Sequence, residues 1–178
     1  MILAILKLIE PNNTLLTIPL SVVSEDADRK KIKEDLLETM DHFHGIGLSG
    51  NQVGIMERVF VMYSDFTGDI SKRKKIACFN PKIIHASEIE EFMDEGCLSY
   101  PGIWLKVKRP SWVEVQYEDE SSEVIEETFT GLAARVFQHE YDHMEGTDFT
   151  KRVSKLRLDR AKKRLLKAQK KLDRPVLA

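Results

Sequence analysis

The sequence predicts an α+β domain in which helices pack against antiparallel strands. Three observations predict this class: a helical pattern over residues 25–44, strand-like patterns from Val59 to Phe129, and two helical patterns after them. This order is typical of an α+β domain with a helix packed into a sheet. The 178 residues, 42% apolar and 31% charged, suffice for one domain with a core and exclude a disordered chain.

The first part of the chain predicts two short strands and a helix. Strands are expected at residues 1–6 and 14–18; the apolar start lacks the basic leader and cleavage site of a signal peptide. The helix is expected from Glu25 to His44, because its apolar residues recur close to the 3.6-residue period. Ser24 is the expected N-cap and Gly45 the expected stop.

The middle of the chain predicts antiparallel strands, each with one solvated face. Short runs that are rich in β-forming residues, or that alternate between apolar and polar residues, mark them: Val59–Tyr63, Ile76–Phe79, Ile83–His85, 112–117 and 124–129. Pro81 marks a break between the second run and the third.

Two helices are expected after the strands. The first runs from Leu132 to about Glu145 and ends at Gly146. The second runs from about Val153 to Leu172 and carries a narrow apolar stripe: Leu158, Ala161, Leu165, Ala168 and Leu172. Residues 1–152 are expected to form the body of the domain, and residues 153–178 a basic C-terminal helix and tail of the same domain.

The net charge of −2 conceals a strong asymmetry along the chain. The segment from Lys151 to Arg174 holds twelve basic and two acidic residues, so the rest of the chain is acidic. Such polarity suggests a polyanionic partner, although charge alone favours a merely solvated helix face. The apolar runs are too short for a transmembrane helix. The two cysteines, Cys78 and Cys97, are too few for a disulfide framework and suit a reducing cytosol.

The most informative motif is His139-Glu140-Tyr141-Asp142-His143. Residues i and i+4 share one face of a helix, so both imidazoles can bind one metal ion. Glu140, next to the first imidazole, can take a proton from water and later deliver it. The alternative is a chance pattern on a polar helix face, since the chain has five histidines.

A hydrolytic metal site needs a third protein ligand and an open position. The usual downstream arrangements fit poorly: Phe149 stands where one class has a third histidine, and no glutamate follows Glu145. The ligand is therefore expected upstream, where Cys97 lies in the segment Glu95-Gly96-Cys97-Leu98-Ser99. A thiolate is a strong ligand for a transition metal, whereas Cys78 is interpreted as a small buried apolar residue.

Three segments in the same order together resemble peptide deformylases. Gly45 to Gln52, GIGLSGNQ, is similar to the family pattern G-x-G-L-A-A-x-Q, and the other two are Glu95–Ser99 and Gln138–His143. The similarity runs from about Glu34 to Val153. It implies removal of the formyl group from N-terminal formyl-methionine of newly synthesised bacterial chains. It also implies antiparallel sheets packed around a central metal-binding helix, with a C-terminal helix.

The resemblance also implies the site residues and the metal. The implied metal is Fe²⁺, one per chain, with Zn²⁺ or Ni²⁺ as possible replacements, and its ligands are Cys97, His139 and His143. Glu140 is implied as the acid–base residue. The side-chain amide of Gln52 and the backbone N–H of Leu98 are implied as donors to the oxyanion.

The walls of a methionine pocket follow from the same resemblance: Ile46, Gly47, Met93, Leu132 and Val136. The alternative for Leu132 and Val136 is that they simply belong to the core. Glu95 is expected to pair with Arg109. Ser49-Gly50 replaces the two alanines of the family pattern, and the extra glycine predicts a looser segment before Gln52.

Two other functions fit part of this pattern. One is another metal-dependent amidase or peptidase; the other is a non-catalytic or altered-specificity deformylase paralogue that binds metal and associates with the ribosome. The presence of Glu140 and Gln52 argues against a purely structural site, which would need neither. The expected partners are formylated nascent peptides and, through the basic C-terminal helix, the ribosome. The protein is expected to be a cytoplasmic monomer without a membrane partner.

Overall fold

The computed structural model describes residues 5–66 and 73–172, with side chains up to residue 170. The described part contains three helices: α1 (Arg29–His42), α2 (Gly131–Met144) and α3 (Lys155–Leu172). Its strands are β1 (Gly47–Ser49), β2 (Val59–Tyr63), β3 (Lys75–Ala86), β4 (Glu90–Glu95), β5 (Leu105–Pro110), β6 (Trp112–Glu118) and β7 (Val124–Thr130). None of the helices in these ranges has the length and apolar character needed to cross a membrane.

The main sheet has five antiparallel strands in the order β1-β2-β3-β6-β7 and lies between α1 and α2. Alternation along β2 shows how both faces are used. Phe60 and Met62 pack with Phe137 of α2, whereas Val59 and Val61 pack in the cluster of α1. Most of α2 is buried, which confirms the predicted α+β fold with a central helix.

Strands β4 and β5 form a separate antiparallel pair, the β-ribbon, against which α3 packs. The apolar stripe of α3 contributes Leu158, Ala161 and Leu165 to a cluster with Leu105, Val107 and partly buried Cys97. Ala168 is exposed, so the stripe ends earlier than predicted. Contact with the β-ribbon covers only the first part of the helix.

The predictions for the N-terminal part were wrong in several details. Residues 1–4 lie outside the described residues, and residues 5 and 6 are not in a strand. Thr14–Thr17 is a 3₁₀ helix instead of a strand, because Asn13 Oδ1 caps it by accepting from Leu15 N at 3.0 Å. Helix α1 begins at Arg29, since Asp28 caps it by accepting from Lys31 N, while residues 24–27 form a turn.

Two other predicted boundaries also change. Strand β3 is continuous through Pro81, because one extra residue between Phe79 and Lys82 forms a bulge in the ladder with β6. Helix α1 ends at His42, with His44 at φ +55° before Gly45. The other two helices start and end within two residues of their predicted positions.

Candidate metal centre

Three side chains that can bind a metal converge beside α2. His139 and His143 lie one turn apart on this helix, and Cys97 lies in the loop that follows β4. Their ligand atoms lie within 4.8 Å of one another, and Cys97 Sγ is 3.5 Å from His143 Nε2. Cys78, by contrast, is buried in the core cluster between the sheet and α2.

A buried carboxylate orients the first histidine. Glu95, the last residue of β4, has its Oε2 2.9 Å from Nδ1 of His139, so Nε2 of that ring is left for the metal side. Arg109 donates to both oxygens of Glu95, from Nε at 2.7 Å and from Nη2 at 2.9 Å. The expected pairing of Glu95 with Arg109 is therefore present. It holds the carboxylate that orients the imidazole ring of His139.

The charges of the cluster suit a bound cation. Burial alone would raise the pKa of Cys97, but the neighbouring imidazoles of His143 and His139 lower it to about 6. Burial lowers the pKa of both histidines, yet Cys97 and nearby carboxylates raise these pKa values above the ordinary value. The cluster therefore stabilises the thiolate form of Cys97. The thiolate and the nearby carboxylates in turn favour a positive charge at the centre of the three side chains. Sulfur with two imidazoles fits a divalent transition metal, and three protein ligands leave an open position.

Glu140 faces the first strand from a fully buried position. Burial raises its pKa to about 7, and its Oε2 has no hydrogen-bond partner among the described residues. A Cβ on Gly47 would clash with Glu140 Oε1 and would lie 2.9 Å from Val136 Cγ1. Only glycine therefore allows β1 to approach this carboxylate so closely.

The amide of Gln52 has a defined orientation. Its Oε1 accepts from the backbone N–H of Ser49 at 2.8 Å, so its NH₂ group points the other way. Nε2 lies 3.2 Å from Cys97 Sγ and 3.1 Å from Ser99 Oγ. The N–H of Leu98, in the same loop as Cys97, has no acceptor within the described ranges. The NH₂ group of Gln52 and the N–H of Leu98 are thus two hydrogen-bond donors beside the cluster.

The glycine at position 50 does not loosen its segment, contrary to the prediction. A Cβ at Gly50 would lie 2.9 Å from the carbonyl oxygen of Ile55 and 3.2 Å from that of Val59. The oxygen of Gly50 also accepts from Ile55 N at 2.9 Å. Gly50 permits close backbone packing, which fixes the 3₁₀ helix Gly50–Val53 that carries Gln52.

The residues predicted to form the methionine pocket occupy different environments. Gly47 and Val136 lie together at Glu140, and Val136 is buried. Ile46 and Leu132 expose 42% and 41% of their surface, an amount typical of a pocket rim. Met93 is half-buried on the β-ribbon, opposite Val107. The structure thus brings two of the five residues next to the acid–base candidate.

Sequence reasoning missed two residues that contact the site. Ser99 accepts from Gln52, and Arg135 of α2 donates to Glu95. Ser99 belongs to the segment Glu95–Ser99, so its place next to Cys97 could have indicated a contact with the site. Arg135 had no such signal, because a charged residue in a helix is ordinarily interpreted as solvated.

Comparisons with known proteins agree with this geometry. A sequence model of the family described as polypeptide deformylase matches residues 3–159. The chain is 39% identical to the peptide deformylase of Thermotoga maritima over 152 residues, which is 85% of each chain. A crystal structure of peptide deformylase from the same organism matches with a TM-score of 0.77 at 36% identity, over 85% of this chain and 99% of that one. A class I type b peptide deformylase from Acinetobacter baumannii, solved with bound Met-Ala-Ser, matches with a TM-score of 0.77 at 28% identity, over 85% and 100%.

Proposed function

The chain belongs to the polypeptide deformylase family, and on that premise we propose that Cys97, His139 and His143 hold its metal, Fe²⁺ in the cell. Zn²⁺ or Ni²⁺ are the expected replacements. The observation that carries the assignment is the convergence of the three ligand atoms within 4.8 Å beside a buried glutamate. As a member of the family the protein is an enzyme, which hydrolyses the formamide bond of N-terminal formyl-methionine in newly synthesised polypeptides.

The mechanism requires a nucleophile and a polarised carbonyl. When bound, the metal polarises the formyl oxygen and lowers the pKa of water toward neutrality. Glu140 takes the proton of the attacking water and delivers it to the departing amine. Support for this role comes from its burial, from its pKa of about 7 and from its Oε2, which lacks a hydrogen-bond partner among residues 5–66 and 73–172. A carboxylate with such a pKa can both accept and release a proton near neutral pH.

The negative charge that develops on the formyl oxygen needs fixed donors. We assign them as Nε2 of Gln52 and the backbone N–H of Leu98. The amide orientation of Gln52, set by Ser49 N, supports this because it directs the NH₂ group toward Cys97. Both donors are neutral, so neither must lose or gain a proton during turnover.

The substrate side chain is assigned to an apolar pocket around Gly47 and Val136, with Ile46, Met93 and Leu132 at its margin. Flexible and branched apolar groups suit a thioether. The Acinetobacter relative binds Met-Ala-Ser, a peptide that begins with methionine, and the two chains share the fold over the whole length of that relative, which supports a methionine-binding pocket in this chain.

The test is release of formate from formyl-Met-Ala-Ser by protein purified anaerobically with Fe²⁺. Formate release that requires metal and leaves the unformylated peptide Met-Ala-Ser intact supports the proposal. Cleavage of the unformylated peptide, or metal binding without any turnover, would show that the pocket serves another reaction. Activity of the Fe²⁺ form is expected to decay in air, because iron and the thiolate are both oxidisable.

We further propose that the enzyme works in the bacterial cytoplasm, as a monomer, and docks on the ribosome through α3. Residues 1–152 would carry the chemistry and residues 153–178 the docking surface. Basic residues cover the exposed faces of this helix, for example Lys162, Lys163 and Lys167. Ribosomal RNA is a polyanion, and the substrate emerges at the ribosome, so docking would raise its local concentration.

A further inference from the structure

Arg135 is a buried arginine of α2 to which the mechanism above assigns no role. It lies one turn before His139 and exposes 4% of its surface. Its guanidinium donates to three acceptors outside its own helix. Nη1 lies 2.9 Å from Glu95 Oε1 and 3.0 Å from the carbonyl oxygen of Val107, and Nη2 lies 2.7 Å from the carbonyl oxygen of Glu91.

All three acceptors belong to the β-ribbon, with Glu91 and Glu95 in β4 and Val107 in β5. Cys97 follows the end of β4 by two residues. The position of the β-ribbon against α2 therefore sets the distance from the thiolate to the two imidazoles. Arg109 makes the reverse connection, from β5 to Asp142 Oδ2 at 2.8 Å and to the carbonyl oxygen of Gln138 at 3.2 Å on α2.

We propose that Arg135 is a positioning residue of the metal centre. It fixes the β-ribbon, and with it Cys97, against the helix that carries both histidines, and it holds the Glu95 carboxylate that orients His139. The inference rests on the ligands proposed above. A planar guanidinium satisfies three separate acceptors at once, whereas the single nitrogen of lysine cannot span them.

Loss of Arg135 should loosen the site without unpairing Glu95. In its absence Glu95 keeps two bonds from Arg109 and one from His139. The carboxylate thus stays neutralised, and the fold avoids the large cost of an isolated buried charge. What disappears is the connection from α2 to the backbone of β4 and β5, so the expected effect is on metal retention. Removal of partners that support metal ligands typically weakens metal binding about 10- to 100-fold.

The experiment compares full-length Arg135→Met and Arg135→Lys with the wild-type protein after loading with Co²⁺. Arg58→Met is a matched control, because Arg58 bonds to Glu145 and to the carbonyl oxygen of Met144 at the end of the same helix, away from Glu95. It also donates to the carbonyl oxygen of Pro81 in β3, so it too connects this helix to a strand. Release of Co²⁺ to excess chelator is followed through the thiolate-to-cobalt absorption. Melting temperatures of the metal-free proteins and separate kcat and KM values complete the comparison.

Both Arg135 variants should release Co²⁺ about ten-fold faster or more, with weakened thiolate-to-cobalt absorption and a fall in kcat that exceeds any change in KM. Arg58→Met should release Co²⁺ at the wild-type rate even if its melting temperature falls equally. Wild-type release and absorption in Arg135→Met would overturn the inference. If that variant does not fold, Arg135→Lys decides, and wild-type release there overturns it too. A wild-type protein without thiolate-to-cobalt absorption would instead refute the ligand assignment, and with it this role.

Discussion

At the scale of single residues, Glu140 is the group whose removal should stop the reaction while the metal stays bound. It lies between the two histidines of α2 that we propose as metal ligands, and its Oε2 has no hydrogen-bond partner in the part of the chain that the structure describes. Glu140→Ala and Glu140→Gln are expected to keep their metal and to lose about two to four orders of magnitude in kcat, the usual contribution of a general acid–base group. Formate release and metal content, measured on the same samples, test this.

Glu145→Gln provides the control, because Glu145 lies just beyond the end of α2 and pairs with Arg58 at the surface. This variant is expected to keep wild-type activity. Retention of more than a tenth of the activity in Glu140→Ala would remove this residue from its assigned role.

The two cysteines allow a matched test of the metal site. Cys97 lies beside both histidines, whereas Cys78 is fully buried in the core, where burial raises its pKa. Cys97→Ser is therefore expected to lose metal on dialysis, because a hydroxyl is a far weaker ligand than a thiolate. Cys78→Ser should retain it, with some loss of stability. Equal metal content in the two variants would contradict the assignment of Cys97.

The residues of the site differ in how well the sequence predicts them. His139, Glu140 and His143 are recognisable because a helix fixes their relative positions at a constant spacing. The contact of Glu95 with His139 joins residues 44 positions apart, and that of Arg135 with Glu95 joins residues 40 apart. No local pattern reports such contacts, since they exist only after the β-ribbon has packed on α2.

At the scale of elements, α3 has an apolar face that belongs to the enzyme and basic faces that remain free. Leu158 and Leu165 pack in the cluster that includes Cys97, so a deletion of α3 would also disturb the loop of this ligand. Replacement of exposed lysines is the cleaner test of ribosome docking. The triple variant Lys162→Gln, Lys163→Gln and Lys167→Gln should co-sediment with ribosomes more weakly and keep activity on formyl-Met-Ala-Ser.

Salt dependence makes that prediction specific. The slope of the logarithm of affinity against the logarithm of salt should fall by about one for each phosphate contact that is lost. The matched control replaces three exposed lysines elsewhere with glutamine: Lys7, Lys30 and Lys82. If both triple variants bind ribosomes equally well, α3 is only a solvated helix.

Some elements were less visible in the sequence than others. The alternation of β6 and β7 predicted them closely, because one face of each is apolar and the other polar. The acidic β4 lacks that signal, because its buried residue is Glu95. This side chain is stabilised by ion pairs and not by apolar contacts. The sequence also did not predict that β3 continues through Pro81, because the bulge that accommodates this proline forms only within the assembled sheet.

At the scale of the whole molecule, buried ion pairs between the β-ribbon and α2 make stability depend on pH. Burial alone would raise the pKa of Glu95, but hydrogen bonds from Arg109 and His139 lower it below the ordinary 4.5. Burial alone would also raise the pKa of Asp142, but the hydrogen bonds and charges of Arg152 and Arg109 lower it below the ordinary 3.8. Carboxylates with depressed pKa values stabilise the fold above their unfolded pKa, and this stabilisation is lost as the pH falls through the folded value.

The free energy of unfolding of the metal-free protein should therefore fall as the pH drops below 4.5. Arg109→Met should lose about 3–5 kcal/mol at pH 7, because it leaves buried carboxylates short of a partner. It should lose less at pH 3.5, where protonation begins to relieve that cost. Urea unfolding across this range measures both effects. Lys108→Gln, which breaks an exposed pair with Glu90, is the control and should match the wild type in stability at pH 7 and in its fall at low pH.

The separation of Cys97 from His143 along the chain has a consequence for biogenesis. These two proposed ligands are 46 positions apart, and three strands lie between them. Such non-local contacts form late in folding, because long loops must close first. With the proposed ligands, the chain would acquire its metal during synthesis only after α2 has left the exit tunnel and docked on the sheet. We therefore expect metal insertion to be one of the last maturation steps, after which the bound ion stabilises an already assembled fold.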